Sequence, residues 1–212
     1  MRLIKKRFDE SYHENPLYRE MENSQRNRAR LDLIREDTTN GKLLEIGCGK
    51  GGFLRLAEAH FAVEGVDISD YAIKSSREHF GSRVRVANIV EDDLPSACYD
   101  VIAVFNILEH LPAPGPVISK LAAALKPGGL LVGSVPNNYS LVGGVVTRIG
   151  NFFDRTHVAT YTPSKWHSLF QAGGFQQIRF LGELTVGRNR CLYLKGTVWP
   201  HLSFNLMFLC KK

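Results

Sequence analysis

Leu43-Leu44-Glu45-Ile46-Gly47-Cys48-Gly49-Lys50-Gly51-Gly52-Phe53 is the stretch that decides how this chain folds. Leu43 to Ile46 is a short apolar run of strand character, and Phe53, Leu56 and Ala57 continue it at helical spacing. Between them stands G-x-G-x-x-G. In a strand–turn–helix context such glycines let the backbone approach a ligand closely at a helix N-terminus. Alone the pattern has little specificity, because many tight turns between strand and helix contain it. Asp67, 20 positions after Gly47, sharpens it. At the end of the next strand its carboxylate can accept two hydrogen bonds from a ribose diol. Ser69 is available to cap the following helix, which leaves Asp67 for the ligand.

Working outward, apolar runs at residues 61–66, 83–87, 100–105 and 130–135 read as further strands. Helices alternate with them. One is capped by Ser69 and runs to about His79; another has Ile118, Leu121, Ala122 and Leu125 on one face and is stopped by Pro127-Gly128-Gly129. Alternation of this length means βαβ crossovers and a mostly parallel sheet. Residues 1–40 read as an N-terminal cap helix region, with Asn15 as cap and Pro16 in the first turn. Its apolar face (Leu17, Met21, Leu31, Ile34) is interrupted by Ser24 and Arg28, the pattern of a cover rather than a core. Residues 41–212 form the main domain, interrupted at about 136–161 by an irregular insert expected to wall a site. A helix returns at Thr162-Pro163 with Trp166, Leu169 and Phe170 inward. Apolar stretches near 175–181 and 202–209 add strands to one sheet edge.

Composition narrows the class. Hydrophobic residues at 44% and charged residues at 23% exclude a disordered chain. Cys48, Cys98, Cys191 and Cys210 lie far apart with no CxxC pair, which argues against a disulfide framework or structural zinc. No stretch reaches the roughly 18 apolar residues of a membrane span, and the N-terminus lacks a signal-peptide core, so a reduced, cytoplasmic protein is expected. The net charge of +6 is concentrated. Residues 131–212 hold 9 Lys and Arg against 2 Asp and Glu, suited to an anionic partner or to a solvated face.

Glu45, two residues before the first glycine, suits a pyrophosphate poorly and suits a loop holding a zwitterionic amino-acid tail. Asn88 follows the third strand, Phe105-Asn106-Ile107-Leu108-Glu109-His110 the fourth, and Leu125-Lys126-Pro127-Gly128-Gly129-Leu130-Leu131 precedes the fifth. This set, in this order over about residues 41–181, resembles the class I S-adenosylmethionine-dependent methyltransferases. LLEIGCGKGGF resembles their first motif, VEGVDIS their ribose-binding strand end, YDVIAVFNILEHL the segment after their fourth strand, and LKPGGLLVGSVPN the approach to their acceptor region. SVPN followed by FFDRTHVATYTPSKWHSLFQAGGF is similar to bacterial small-molecule methyltransferases of the kind found near glycan and lipopolysaccharide genes.

The resemblance implies an α/β, Rossmann-like three-layer sandwich with a mostly parallel seven-stranded sheet and an antiparallel last strand. It implies S-adenosyl-L-methionine as cofactor and S-adenosyl-L-homocysteine as product. Glu45, Gly47, Cys48 and Gly49 would surround the methionine part, Asp67 the ribose hydroxyls, and Ile68 the adenine. Asn88 and Ile89 would lie at the adenine edge, Phe105 and Asn106 along the donor's tail. The family often has Asp where Asn88 stands; an amide oxygen can still accept from the adenine amino group, with less electrostatic bias.

The implied activity is methyl transfer to a small-molecule acceptor, expected to be a hydroxyl of a sugar or glycan precursor. Two histidines are candidate general bases: His157 in the insert, which Asp154 could orient, and His110 at the mouth of the fourth strand. Ubiquinone-pathway O-methyltransferases have a similar Glu-His with an upstream acid that helps hold a divalent metal. Here Asn106 stands at that position, and Glu109 and His110 are too few for magnesium, so no metal is assigned. Tyr161 is the aromatic expected in the acceptor pocket, and Arg148 and Arg155 could hold an anionic group. Three alternatives stay open. One is an RNA or protein methyltransferase using the basic C-terminal third, although no nucleic-acid module flanks the core. The others are a dinucleotide-dependent oxidoreductase and a non-catalytic donor-binding relative. Exposed faces of the N-terminal helix and the insert could form a homodimer contact.

Overall fold

Apolar runs without alternation make strands buried on both faces, as parallel strands under helices must be. A computed structural model describes residues 10, 14, 24–137, 158–186, 190–194, 203 and 205–212, in two compact units, Met1–Asp93 and Leu94–Lys212. The first unit contains α1 (Ser24–Arg35), β1 (Lys42–Ile46), α2 (Gly52–Ala57), β2 (Ala62–Asp67), α3 (Asp70–Phe80) and β3 (Val84–Val86). β2 lies between β1 and β3 and runs parallel to both, with Ile46 opposite Val66 and Asp67 opposite Val86.

Local chemistry explains these elements. Ser69 Oγ accepts from Ala72 N at 3.2 Å and starts α3 as expected. α2 is only six residues long and buries Phe53, Leu54 and Ala57, so Leu54 rather than Leu56 completes its inner face. α1 packs on α2, and its Leu31, Leu33 and Ile34 are core residues, not a loose cover. Of the polar residues that interrupt its apolar face, Arg28 is exposed. Asn27 and Arg30 are buried, and Arg30 Nη1 donates to Asn27 Oδ1 at 3.3 Å. The expected helix start at Asn15 and Pro16 lies outside the described residues.

The second unit contains β4 (Tyr99–Phe105), a 3-10 turn (Leu108–His110), α4 (Pro114–Ala124), β5 (Leu125–Pro136), α5 (Pro163–Ala172), β6 (Gln177–Val186), β7 (Arg190–Leu194) and β8 (Asn205–Lys211). Its strand order is β4-β5-β8-β6-β7. β4 and β5 are parallel, while β8 runs against both β5 and β6. The fold is therefore α/β, parallel in its earlier strands and antiparallel toward the C-terminus, as expected. Among the described residues there are eight strands; the addition is β7, which forms a hairpin with β6. Leu125, assigned by periodicity to the end of α4, instead pairs with Tyr99 of β4. A register shift then separates it from the Val101–Leu130 pair. An apolar residue at a helix-to-strand junction satisfies both periods, so sequence spacing could not choose. In the core of this unit the Phe170 ring of α5 lies 4.6 Å from Phe208 of β8, with Trp166 and Phe175 also fully buried.

One strand position binds the first unit together. A Cβ on Gly65 of β2 would lie 2.7 Å from Leu54 Cδ1 and 2.8 Å from Cys48 Sγ, so α2 and the glycine loop close over β2 only because no side chain is there. Gly65→Ala should destabilise the protein by about 1–3 kcal/mol through overpacking, read as a lower urea midpoint at unchanged m-value.

Candidate donor and acceptor sites

At the carboxyl end of β1 the chain turns through Gly47, Gly49 and Gly51 at φ of 76°, 52° and 84°, the left-handed region that favours glycine. Gly47 N and Cys48 N both donate to Val66 O, at 2.7 and 3.1 Å, fastening this loop to the end of β2. There Asp67, only 9% exposed, accepts from Gly49 N through Oδ2 and from Ser69 N through Oδ1, each at 2.8 Å. Burial raises its pKa above the usual carboxylate value, against the backbone hydrogen bonds from Ser69, Gly49 and Ile68. The carboxylate keeps acceptor capacity beyond these backbone bonds, which is the chemistry a ribose hydroxyl requires.

The neighbouring candidates gather at the same end. Ala87 N donates to Asp67 O at 2.9 Å, which brings Asn88 beside it. Asn88 Oδ1 accepts from Val90 N at 3.1 Å and Asn88 N donates to Asp92 Oδ2 at 2.7 Å, so the oxygen expected for an adenine amino group already holds one bond. Ile89 is buried and Ile68 half-buried. Glu45 is buried within β1, not at a wet strand end. Cys48 packs its sulfur toward Gly65, leaving its backbone to line the loop. Burial above all, then the charges of Glu45 and Asp67, push its thiol pKa well above the ordinary value.

In the second unit, β4 ends at Phe105 and Asn106 follows with φ of 54°, a left-handed conformation for a residue with a side chain. Ser134 of β5 holds it there. Ser134 Oγ donates to Asn106 Oδ1 and Asn106 N donates to Ser134 O, both at 2.9 Å. The 3-10 turn then presents a buried Glu109 and a half-buried His110. Val158 N and Ala159 N both donate to Glu109 O at 2.9 Å, so the segment entering α5 is fastened to this turn. His157, Asp154, Arg148 and Arg155 lie outside the described residues. Tyr161 is half-buried, its ring 5.3 Å from the core residue Trp166. Sequence reasoning missed Glu183, buried on β6 with Oε1 accepting from Asn205 Nδ2 at 2.9 Å. The available signal was an acid inside an apolar strand.

A family model of the methyltransferase domain matches residues 18–179. The chain belongs to that family. Among curated relatives, a ubiquinone biosynthesis O-methyltransferase of Idiomarina loihiensis is 36% identical over 123 residues, 52% of this chain and 50% of that protein. One of the same name from Coxiella burnetii is 34% identical over 132 residues, 55% of this chain and 56% of that protein. The chain thus spans about half the length of the curated relatives it matches. An Archaeoglobus fulgidus SAM-dependent methyltransferase structure superposes with a TM-score of 0.70 at 21% identity, covering 90% of this chain and 95% of that one. A Thermotoga maritima SAM-dependent methyltransferase gives 0.71 at 16%, covering 89% and 91%. The resemblance to class I methyltransferases holds, and the fold is Rossmann-like.

This methyltransferase domain's four cysteines differ sharply in setting. Cys48 and Cys210 are buried with raised thiol pKa values, Cys98 and Cys191 half-buried. With a thiol-specific chromogenic disulfide at pH 8, Cys98 and Cys191 should react in the folded protein. Cys48 and Cys210 should react only after denaturation, as peptide mapping of the labelled sites would record.

Proposed function

We propose that the chain transfers a methyl group from S-adenosylmethionine to a hydroxyl of a small cytoplasmic acceptor, a sugar or glycan precursor. The observation that carries this reading is Asp67, a buried carboxylate fixed by two backbone N–H groups beside a left-handed glycine loop. When bound, S-adenosylmethionine supplies a methyl group on a sulfonium, already activated for displacement. The chain's own work is to hold and align. Glu45 and the backbone of Gly47, Cys48 and Gly49 take the amino-acid part. Asp67 accepts from the ribose hydroxyls, and Ile68, Asn88 and Ile89 receive the adenine. Phe105 and Asn106 are read as contacts to the donor's tail.

On the acceptor side, His110 takes the hydroxyl proton, an imidazole having a suitable pKa range for a general base. Its turn is fastened by two backbone hydrogen bonds to Glu109 O, which supports a fixed role. His157 is the second candidate base, directly before the residues that make those bonds. The relatives' name, O-methyltransferase, supports an oxygen acceptor. The 9 Lys and Arg against 2 Asp and Glu in residues 131–212 support an anionic group on it. Among the described residues no helix is long and apolar enough to cross a membrane.

Calorimetric titration with S-adenosylhomocysteine should show binding to the wild type, weakened about tenfold or more in Asp67→Ala, with NADH as a negative control; NADH binding alone would overturn the reading. Because burial raises the Asp67 pKa, wild-type affinity should fall as pH drops through the acid range and the carboxylate protonates. Asp67→Ala should lose that dependence. In a radiolabelled-methyl assay over a panel of monosaccharides and nucleotide sugars, His110→Ala should lower kcat about 10²–10⁴-fold and leave S-adenosylhomocysteine affinity unchanged.

A further inference from the structure

We infer that Glu14 is a positioning residue for the donor loop: from ahead of α1 it holds Lys50, the one charged side chain of the glycine loop, in place. The inference rests on the reading that this loop takes S-adenosylmethionine. Glu14 Oε1 lies 2.5 Å from Lys50 Nζ and accepts from Tyr71 Oη of α3 at 3.0 Å. The Lys50 ammonium also sits 5.3 Å from the centroid of the Tyr71 ring. One carboxylate oxygen thus ties three pieces of chain: the residue itself, the loop between β1 and α2, and the first turn of α3. The backbone at Glu14 is held in turn, its N–H donating to Glu10 O at 2.9 Å.

The loop needs such a hold. Between Gly47 and Gly52 only Cys48 and Lys50 carry side chains, and Cys48 is packed inward toward Gly65. Lys50 is flanked by Gly49 and Gly51, both left-handed, so the backbone around it gains no side-chain packing of its own. An unpaired ammonium in a loop that receives a sulfonium would also oppose binding by like-charge repulsion. Glu14 meets both needs, orienting the lysine and balancing its charge. Lys50 is 23% and Glu14 36% exposed, so added salt reaches the pair and weakens it.

The test is calorimetry with S-adenosylmethionine, which carries the sulfonium, and with S-adenosylhomocysteine, which does not, on the full chain beside Glu14→Gln, Glu14→Lys, Lys50→Glu, the double variant E14K/K50E, and Tyr71→Phe. Glu14→Gln should weaken binding about two- to fivefold, the worth of a partly exposed ion pair, and lose the salt dependence that the pair should give the wild type. Each charge reversal should weaken it further, and the double variant should recover affinity because the pair is restored with its ends exchanged. Tyr71→Phe, which removes a single hydroxyl and keeps the ring, should lie between wild type and Glu14→Gln. In ligand-free protein the Glu14 bond above all, with burial, raises the Tyr71 phenol above its usual pKa, and an NMR titration should find that rise reduced in Glu14→Gln. Wild-type affinity in Glu14→Gln, or a double variant no better than the single reversals, overturns the inference and leaves the donor reading standing. Failure of the wild type to bind S-adenosylhomocysteine overturns both.

Discussion

The pair of hydrogen bonds on the Asp67 carboxylate is the constraint on which the first unit is organised. A carboxylate this deep is costly to ionise unless its oxygens are met by donors. Gly49 N and Ser69 N meet them, one from each side, and the two bonds fix three things together: the crest of the glycine loop, the end of β2 and the start of α3. The loop's left-handed turns bring the Gly49 N–H to Asp67, and Gly65 leaves the space in which the loop can come down onto β2. The glycine loop is thus shaped by the same contacts that hold the unit's fold.

In the second unit the corresponding device is backbone and amide, with no carboxylate at its centre. Ser134 grips Asn106 through both its hydroxyl and its carbonyl, holding a non-glycine residue in a left-handed conformation at the carboxyl end of β4. Such conformations persist only where neighbours over-determine them, and they gather at functional positions. A few residues on, Glu109 O takes two N–H groups from Val158 and Ala159. These contacts fasten the turn that carries His110. Glu183 and Asn205 hold a further buried polar link between β6 and β8.

The residues of the candidate donor site were largely legible in the sequence. Glu45, Gly47, Gly49, Asp67 and Asn88 were all singled out, and the structure brings them to one end of β1, β2 and β3. The reason is local: a glycine-rich turn, a strand of fixed length and an acid at its end depend on near neighbours and on the simple register of parallel strands. Ser69 as cap and the Trp166 and Phe170 face of α5 were legible for the same reason. Leu125 and β7 were not. Leu125 serves equally as the last position of an apolar helix face and the first of a strand, and only its pairing with Tyr99 decides. β7 has five residues and a half-open setting, so its strand identity comes from the hairpin with β6, not from its own pattern.

By itself the sequence determined the chemistry available: an α/β chain with a glycine-rich loop, a carboxylate at the end of the next strand and histidines near its later motifs. Short-range spacing encodes these. Tertiary structure alone decided which side chains are partners across long separations. Glu14 meeting Lys50 and Tyr71, Ser134 meeting Asn106, and Cys48 turning onto Gly65 all join residues that no periodicity links, because such pairs are set by where folded elements come to rest.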